Sequence, residues 1–531
     1  MMRAPVLSKI SQAWWKSAVV YQIYPRSFKD SNGDGIGDIN GIRQKIPYLK
    51  DLGVDVIWLS PIYKSPQVDN GYDISDYYDI SKDFGTMNDM DALLSEVHSS
   101  GMKVLMDLVV NHTSDQHEWF LESAASKTNP KRDWYIWHKG SGVNGDQPPN
   151  NWRAAFQGSA WTRHPATSEY YLHLFAIQQP DLNWKNPEVR AAVFKLMNFW
   201  LDRGVDGFRM DVINYIDKED GFPNAPITDS REFLQSPRIH ITDKPRVTDY
   251  LREMYEKVFE WRPEVKMTVG ECPDSTIESA SQYTNPANKN LQMIFHFQHV
   301  SLRSKIPGKS YDFVEFKKIW ANWDAKLNAN NGWNSIYFSN HDSPRTTSRF
   351  GSDKTEALRS ASAKCFGTAL LTHRATAYMY QGEELGMVNI GDKFNIEDYQ
   401  DISTVNQQIS RFAPTTRLRC PPNGGFTTGK PWLKMNPTYQ TINAELQLSD
   451  PDSVFHHFKA LIELRKQHEI ITYGDYTVLT LEHPTLWVYL RRLDDEALLV
   501  VCNVSEEDGT VIVGEWGDVE VVAIRVSNMV I

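Results

Sequence analysis

Short runs of β-branched and aromatic residues recur along the chain at 18–24, 56–59, 104–107, 207–212, 267–271, 293–295, 335–338 and 377–380. Between them lie longer stretches in which apolar residues return every three or four positions, as at 42–52, 90–100, 189–203 and 248–261. Strands alternating with helices predict right-handed βαβ units and a parallel sheet. Eight such units close a (β/α)₈ barrel, an α/β fold. The interval 110–174, full of Asn, Gly, Pro and Trp, is too long for a bare loop in a compact domain and predicts an inserted lobe. After an amphipathic helix at 454–467 the pattern changes to period-two alternation with tight turns at 476–479, 486–490, 497–501 and 519–526. That predicts a C-terminal antiparallel β domain. The expected organisation is a barrel in two parts, 1–109 and 175–470, an inserted domain at 110–174 and a β-sandwich at 471–531.

Three of the predicted strands run into acids: Asp211 after Gly207-Phe208-Arg209-Met210, Glu271 after Thr268-Val269-Gly270, and Asp342 in Asn340-His341-Asp342. Parallel barrel strands project catalytic groups from their C-terminal ends, so acids far apart in sequence can converge on one substrate atom. A strand-terminal Asp can also merely cap the next helix. Three of them, flanked by Arg209 and His341, favour an active site. Two carboxyls suffice for glycoside hydrolysis: one attacks the anomeric carbon, and the other, as the acid, protonates the leaving oxygen. Glu271 must then hold a proton that Asp211 does without, and like-charge repulsion between the two raises the acid's pKa. Arg209 shares a strand face with Asp211 and can hold it anionic.

Composition narrows the partner. Acids outnumber bases 67 to 56 in 531 residues, and the net charge of -11 disfavours nucleic acid and anionic membranes. With 17 Trp and 23 Tyr, a cleft that stacks on sugars is compatible with a neutral substrate. No run approaches the ~20 apolar residues of a membrane span. The first fifteen residues have no apolar core of a signal peptide, and Cys272, Cys365, Cys420 and Cys502 form no CxxC pair. Reduced thiols and a cytoplasmic location are expected, with the protein a monomer or weak oligomer.

The segment Asp30-Ser31-Asn32-Gly33-Asp34-Gly35-Ile36-Gly37-Asp38 sets oxygen ligands at alternate positions among glycines, as calcium loops do. It lacks the twelfth-position Glu of an EF-hand. An Asx-turn-rich loop without metal is the alternative.

These motifs, with Asp107-Leu108-Val109-Val110-Asn111-His112 and Gln179-Pro180-Asp181-Leu182-Asn183, resemble the α-amylase family of glycoside hydrolases, family 13, and within it the oligo-1,6-glucosidase and α-glucosidase subgroup. The resemblance runs from about Trp14 into the C-terminal module. It implies that Asp211 is the nucleophile, Glu271 the general acid/base and Asp342 the transition-state stabiliser. It further implies that Asp69, Tyr72, His112, Phe175, Arg209, Val212, His341 and Arg345 shape the glucose pocket. Asp69 and His112 would block its non-reducing end and make the enzyme exo-acting. Asp30, Asn32, Asp34, Asp38 and the Ile36 carbonyl would hold a structural Ca²⁺, with Mg²⁺ a second fit. Val212 is the residue type that the subgroup pairs with α-1,6 linkages, and Cys272 is expected on the wall near the leaving group.

One region departs from the pattern. The family arginine that pairs with the acid matching Asp69 aligns with Thr415, so Arg417 or Arg419 is expected to replace it, or the pocket is altered. The expected activity is that of an exo-acting retaining α-glucosidase on short α-1,6-linked, and also α-1,4-linked, oligosaccharides. The alternatives are a maltase, a transglucosylase or sucrose-acting relative, a trehalose-6-phosphate hydrolase, and a non-catalytic heavy subunit of a membrane transporter. The last has a membrane span and lacks the acids, the reverse of this chain.

Overall fold

The computed structural model describes residues 12–262, 267–302, 311–390, 426–507, 509–511 and 524–526. All eight predicted barrel strands form: β1 (Val19–Ile23), β2 (Val56–Leu59), β3 (Lys103–Leu108), β4 (Gly207–Met210), β5 (Met267–Cys272), β6 (Met293–His296), β7 (Ser335–Ile336) and β8 (Thr376–Tyr380). They make one sheet in the order β6-β5-β4-β3-β2-β1-β8-β7, with every neighbouring pair parallel. At the seam between β6 and β7, side chains close the barrel: Ser335 Oγ donates to Ile294 O at 2.7 Å and Tyr337 OH to His296 O at 2.9 Å. Apart from Lys103, every residue of these strands is buried, because helices cover the outside and side chains fill the inside.

Register places the chemistry. Asp107 pairs with Arg209 across β3 and β4, and Arg209 with Val269 across β4 and β5. Gly207 permits the close approach of β4 to β5. Its φ is 154°, and a Cβ there would lie 2.0 Å from Met267 O.

Two predicted helices break. The stretch 42–52 forms Ile39–Gln44 and Ile46–Leu52, because Pro47 has no N–H to continue the first helix and sits instead in the opening turn of the second. The stretch 248–261 forms Arg246–Met254 and then a π-helical turn, Tyr255–Phe259. The helices Pro187–Asp202 and Val454–Gln467 lie where apolar spacing put them.

Between β3 and the helix Pro187–Asp202 the chain forms the helix Glu118–Ala125 and a three-stranded antiparallel sheet of Trp137–His138, Tyr170–Leu172 and Trp161–Arg163. This lobe shares an apolar cluster with the loop after β4: Trp152, Trp161, Leu172 and Leu174 pack with Val212, Tyr215, Ala225 and Ile241. Trp152 Nε1 also donates to Pro223 O at 2.8 Å and Asn151 Nδ2 to Ala225 O at 2.9 Å. C-terminal to the barrel, β9 (Asp475–Val478), β10 (Leu486–Leu493) and β11 (Glu496–Asn503) form an antiparallel sheet, and Gly509–Val511 pairs with Ile524–Val526. Residues 519–523 of the last predicted strand lie outside the described residues.

Candidate active site

Arg209 organises the barrel mouth. Its side chain is 1% exposed and lies between three carboxyls: Nη1 is 2.7 Å from both Asp107 Oδ1 and Asp211 Oδ1, and Nη2 is 2.7 Å from Glu271 Oε2. The Trp58 and Tyr72 rings flank its guanidinium at 5.2 and 5.9 Å. Asp211 stands one residue beyond the end of β4, and Glu271 is the penultimate residue of β5, so adjacent parallel strands bring them together. Arg209 spans the two, with Nη1 2.7 Å from Asp211 Oδ1 and Nη2 2.7 Å from Glu271 Oε2.

Burial pushes the Glu271 carboxyl up to about 7, with Arg209 opposing the shift and Asp211 adding to it. Burial likewise raises Asp211 to about 6, against the pull of Arg209 and with a push from Asp107. The order matches the expected division into acid and anion. The cause is corrected: desolvation leads, and like-charge repulsion is secondary.

The third acid is placed differently. Asp342 sits on the loop after β7 with its side chain 58% exposed, 3.3 Å from His341 Nε2. His341 is locked below it: Nδ1 is 2.8 Å from Gln22 Nε2 and Nε2 is 2.7 Å from Tyr72 OH. Its ring stacks on Tyr72 at 5.3 Å and an interplanar angle of 2°. Tyr72 OH also donates to Asp107 Oδ2 at 3.1 Å.

The lobe supplies the opposite wall. Gln179 Nε2 donates to Asp69 Oδ2 at 2.8 Å and lies 3.2 Å from His112 Nε2. His112 Nε2 also contacts Tyr72 O at 3.1 Å, and its ring leans on Phe175 at 5.1 Å. Burial lowers His112 to about 4, so it is neutral at pH 7. Burial raises Asp69 well above the usual carboxylate range, against the Gln179 hydrogen bond. Beneath this wall Asp181 accepts from Lys218 Nζ at 2.7 Å, Asn111 Nδ2 at 3.0 Å and Leu174 N at 2.8 Å. The motif 179–183 thus ties the lobe to the loops after β3 and β4.

Arg345 is 1% exposed, donates from Nη1 to Gln381 O and lies 4.4 Å over the Tyr380 ring. Cys272 corrects an expectation. Side chains alternate along β5, so with Glu271 facing the site its neighbour faces the helices, and Cys272 is fully buried in the main core. Thr415, Arg417 and Arg419 lie outside the described residues.

Val212 follows Asp211 with φ 34° and ψ 41°, a left-handed conformation that costs a β-branched residue about 1–3 kcal/mol. Its side chain packs with the lobe, and its N–H donates to Glu271 Oε2 at 3.1 Å.

In the metal-loop candidate, Asp30 carboxylate oxygens accept from the N–H groups of Asn32, Gly33 and Gly35, and Asp38 caps the helix Ile39–Gln44 through Gly41 N. Gly35 has φ 93°, and a Cβ there would lie 1.9 Å from Lys430 O. The donor set is entirely oxygen, the kind a hard cation takes, but among the described residues no group of three or more His, Cys, Asp or Glu side chains is gathered to hold one.

A catalytic-domain model described as alpha amylase matches residues 22–474. The chain belongs to the α-amylase family. It is 48% identical over 525 residues to the oligo-1,6-glucosidase of Parageobacillus thermoglucosidasius, covering 94% of this chain and 92% of that protein. It is 46% identical over 516 residues to the trehalose-6-phosphate hydrolase of Bacillus subtilis (strain 168), covering 92% and 89%. Among solved structures, the isomaltulose synthase of Protaminobacter rubrum superposes with a TM-score of 0.89 at 40% identity, covering 95% of this chain and 93% of that one. As an α-amylase family member the protein is a glycoside hydrolase built on a (β/α)₈ barrel.

Asp107 and Gln179 open motifs that carried the resemblance but were given no place in the pocket, and Trp58 and Gln22 were missed. Asp107 was within reach, since it too is an acid near the end of a barrel strand. The motif that Gln179 opens was legible, but its bond to Asp69 arises only when the lobe folds.

Proposed function

We propose that the protein is an exo-acting, retaining α-glucosidase that removes terminal glucose from short α-1,6-linked oligosaccharides, with α-1,4 linkages as a second substrate class. The observation that carries this reading is the buried Asp211–Glu271 pair bridged by Arg209, with Glu271 more readily protonated. Two carboxyls spanned by one guanidinium, each 2.7 Å from it, support the close spacing of a retaining mechanism, ~5–5.5 Å, over the ~6.5–9.5 Å that admits the water of an inverting one. Asp211 attacks C1 while the Glu271 proton passes to the glycosidic oxygen and the leaving sugar departs. Glu271, now ionised, then takes a proton from the water that releases glucose with its α configuration. Asp342 stabilises the oxocarbenium-like transition state from the pocket rim. Asp69, Tyr72, His112, Phe175, Arg209, His341 and Arg345 shape the pocket for the non-reducing glucose, and Val212 borders the leaving sugar.

The pocket wall of Asp69, Gln179 and His112 supports exo action because it closes one end of the site. Asp30, Asn32, Asp34, Asp38 and the Ile36 carbonyl would hold Ca²⁺ or Mg²⁺ as a structural ion that supplies no reaction chemistry. A cytoplasmic location and a monomer or weak oligomer complete the reading. Among the described residues no helix is long and apolar enough to cross a membrane. The test is kcat/KM on isomaltose, maltose, sucrose, trehalose and trehalose 6-phosphate. Isomaltose is expected to lead, and a preference for the phosphorylated disaccharide or for sucrose would replace the proposed substrate.

A further inference from the structure

The strained backbone at Val212 coincides with a specific contact to the reacting acid. Glycine or asparagine would sit easily at φ 34°, yet the position holds a β-branched residue whose side chain is buried against Trp152, Leu174 and Tyr215. The left-handed turn directs the Val212 N–H at Glu271 Oε2, 3.1 Å away. The same oxygen takes Arg209 Nη2 at 2.7 Å. An oxygen that accepts the Val212 N–H and faces the Arg209 guanidinium across an ion pair is a poor site for a proton, since an O–H there would set donor against donor and add a proton beside a fixed positive charge.

We infer that Val212 is a positioning residue whose strained backbone N–H, with Arg209, keeps Glu271 Oε2 an acceptor and confines the transferable proton to Oε1. Packing of its side chain in the lobe cluster offsets the strain that a β-branched residue bears in this conformation, a strain that glycine would not bear. The inference rests on the reading of Glu271 as general acid. In the first step the proton leaves Oε1 for the glycosidic oxygen as the C1–O bond breaks and Asp211 bonds to C1. The Val212 N–H and the Arg209 charge then remain on Oε2 to stabilise the carboxylate that forms.

The test replaces Val212 by its α-hydroxy acid analogue, which exchanges the N–H for an ester oxygen and keeps the isopropyl group. The readout is the pH profile of kcat/KM on isomaltose, whose basic limb reports the acid of the free enzyme. Loss of one donor to the ionised form should move that limb up by about 0.5–1 pH unit. Val212→Gly keeps the N–H and suits a positive φ, so its basic limb should stay at the parent position. An unmoved limb in the ester protein, or an equal shift in Val212→Gly, would overturn the inference. Glu271→Gln separates the two levels. If that variant keeps parent activity on isomaltose, the assignment of the acid fails; if it is inactive while the ester protein's limb stays put, only the role of Val212 fails.

Discussion

At Arg209 a single buried guanidinium serves Asp107, Asp211 and Glu271, so the three carboxyls cannot all be ionised without leaving the site short of positive charge. Activity needs Asp211 ionised and Glu271 protonated. With Asp211 raised to about 6 and Glu271 to about 7, kcat/KM should fall below about pH 6 as the nucleophile takes up a proton and above about pH 7 as the acid loses its own. The two limbs belong to the coupled pair and give a narrow bell. A broad plateau from pH 5 to pH 9 would contradict it. Asp211→Ala, Glu271→Gln and Asp342→Ala should each lower kcat on isomaltose by about 10²–10⁴-fold with near-native melting curves, because their work lies in the transition state. Glu271→Gln should keep most turnover of an aryl glucoside whose leaving group needs no protonation. Near-native activity of any one variant on isomaltose would remove that residue from the mechanism.

At the scale of elements, the barrel strands were legible because each is a short, almost wholly buried run of apolar and β-branched residues, and both sequence and structure put an acid within one residue of the end of β4 and β5. The 42–52 helix was misjudged because its apolar spacing runs through Pro47, whose missing N–H was the readable signal. The strand signal placed Asp211 and Glu271 together but could not show Asp342 on an exposed rim, because loop conformation after β7 is set by tertiary contacts. For Val212, the β-branched residue expected to be an ordinary strand position is instead a left-handed turn packed on the lobe. The proposed place of its side chain beside the leaving sugar predicts specificity: Val212→Thr should move the isomaltose-to-maltose ratio of kcat/KM toward maltose by roughly tenfold, or ~1.4 kcal/mol. A uniform loss with the ratio unchanged would show that the side chain does not set linkage preference. The loop 30–38 already closes on its own Asx turns, Asp34 N to Asn32 Oδ1 at 2.9 Å and Ile36 N to Asp34 Oδ1 at 2.8 Å. A bound cation should therefore add stability without being needed for the loop to form. Chelator treatment should lower Tm by a few degrees while kcat of the surviving fold is unchanged. Identical melting curves before and after metal depletion would count against a cation there.

At the scale of the whole molecule, the inserted lobe completes the pocket that the barrel begins. Its Gln179 holds Asp69, its Phe175 backs His112, and its core absorbs Val212, while the Asp181–Lys218 pair fastens it to the loop after β4. A small neutral substrate fits this closed geometry and the chain's net charge of -11. The central claim is that glucose passes through a covalent bond to Asp211. Peptide mapping by mass spectrometry after incubation with 5-fluoro-α-glucosyl fluoride, whose glucosyl-enzyme hydrolyses slowly, tests it most directly. The account predicts a fluoroglucosyl adduct on the peptide containing Asp211. An adduct on Asp342 or Glu271 instead, or turnover of the reagent to β-configured product with no adduct, would contradict it.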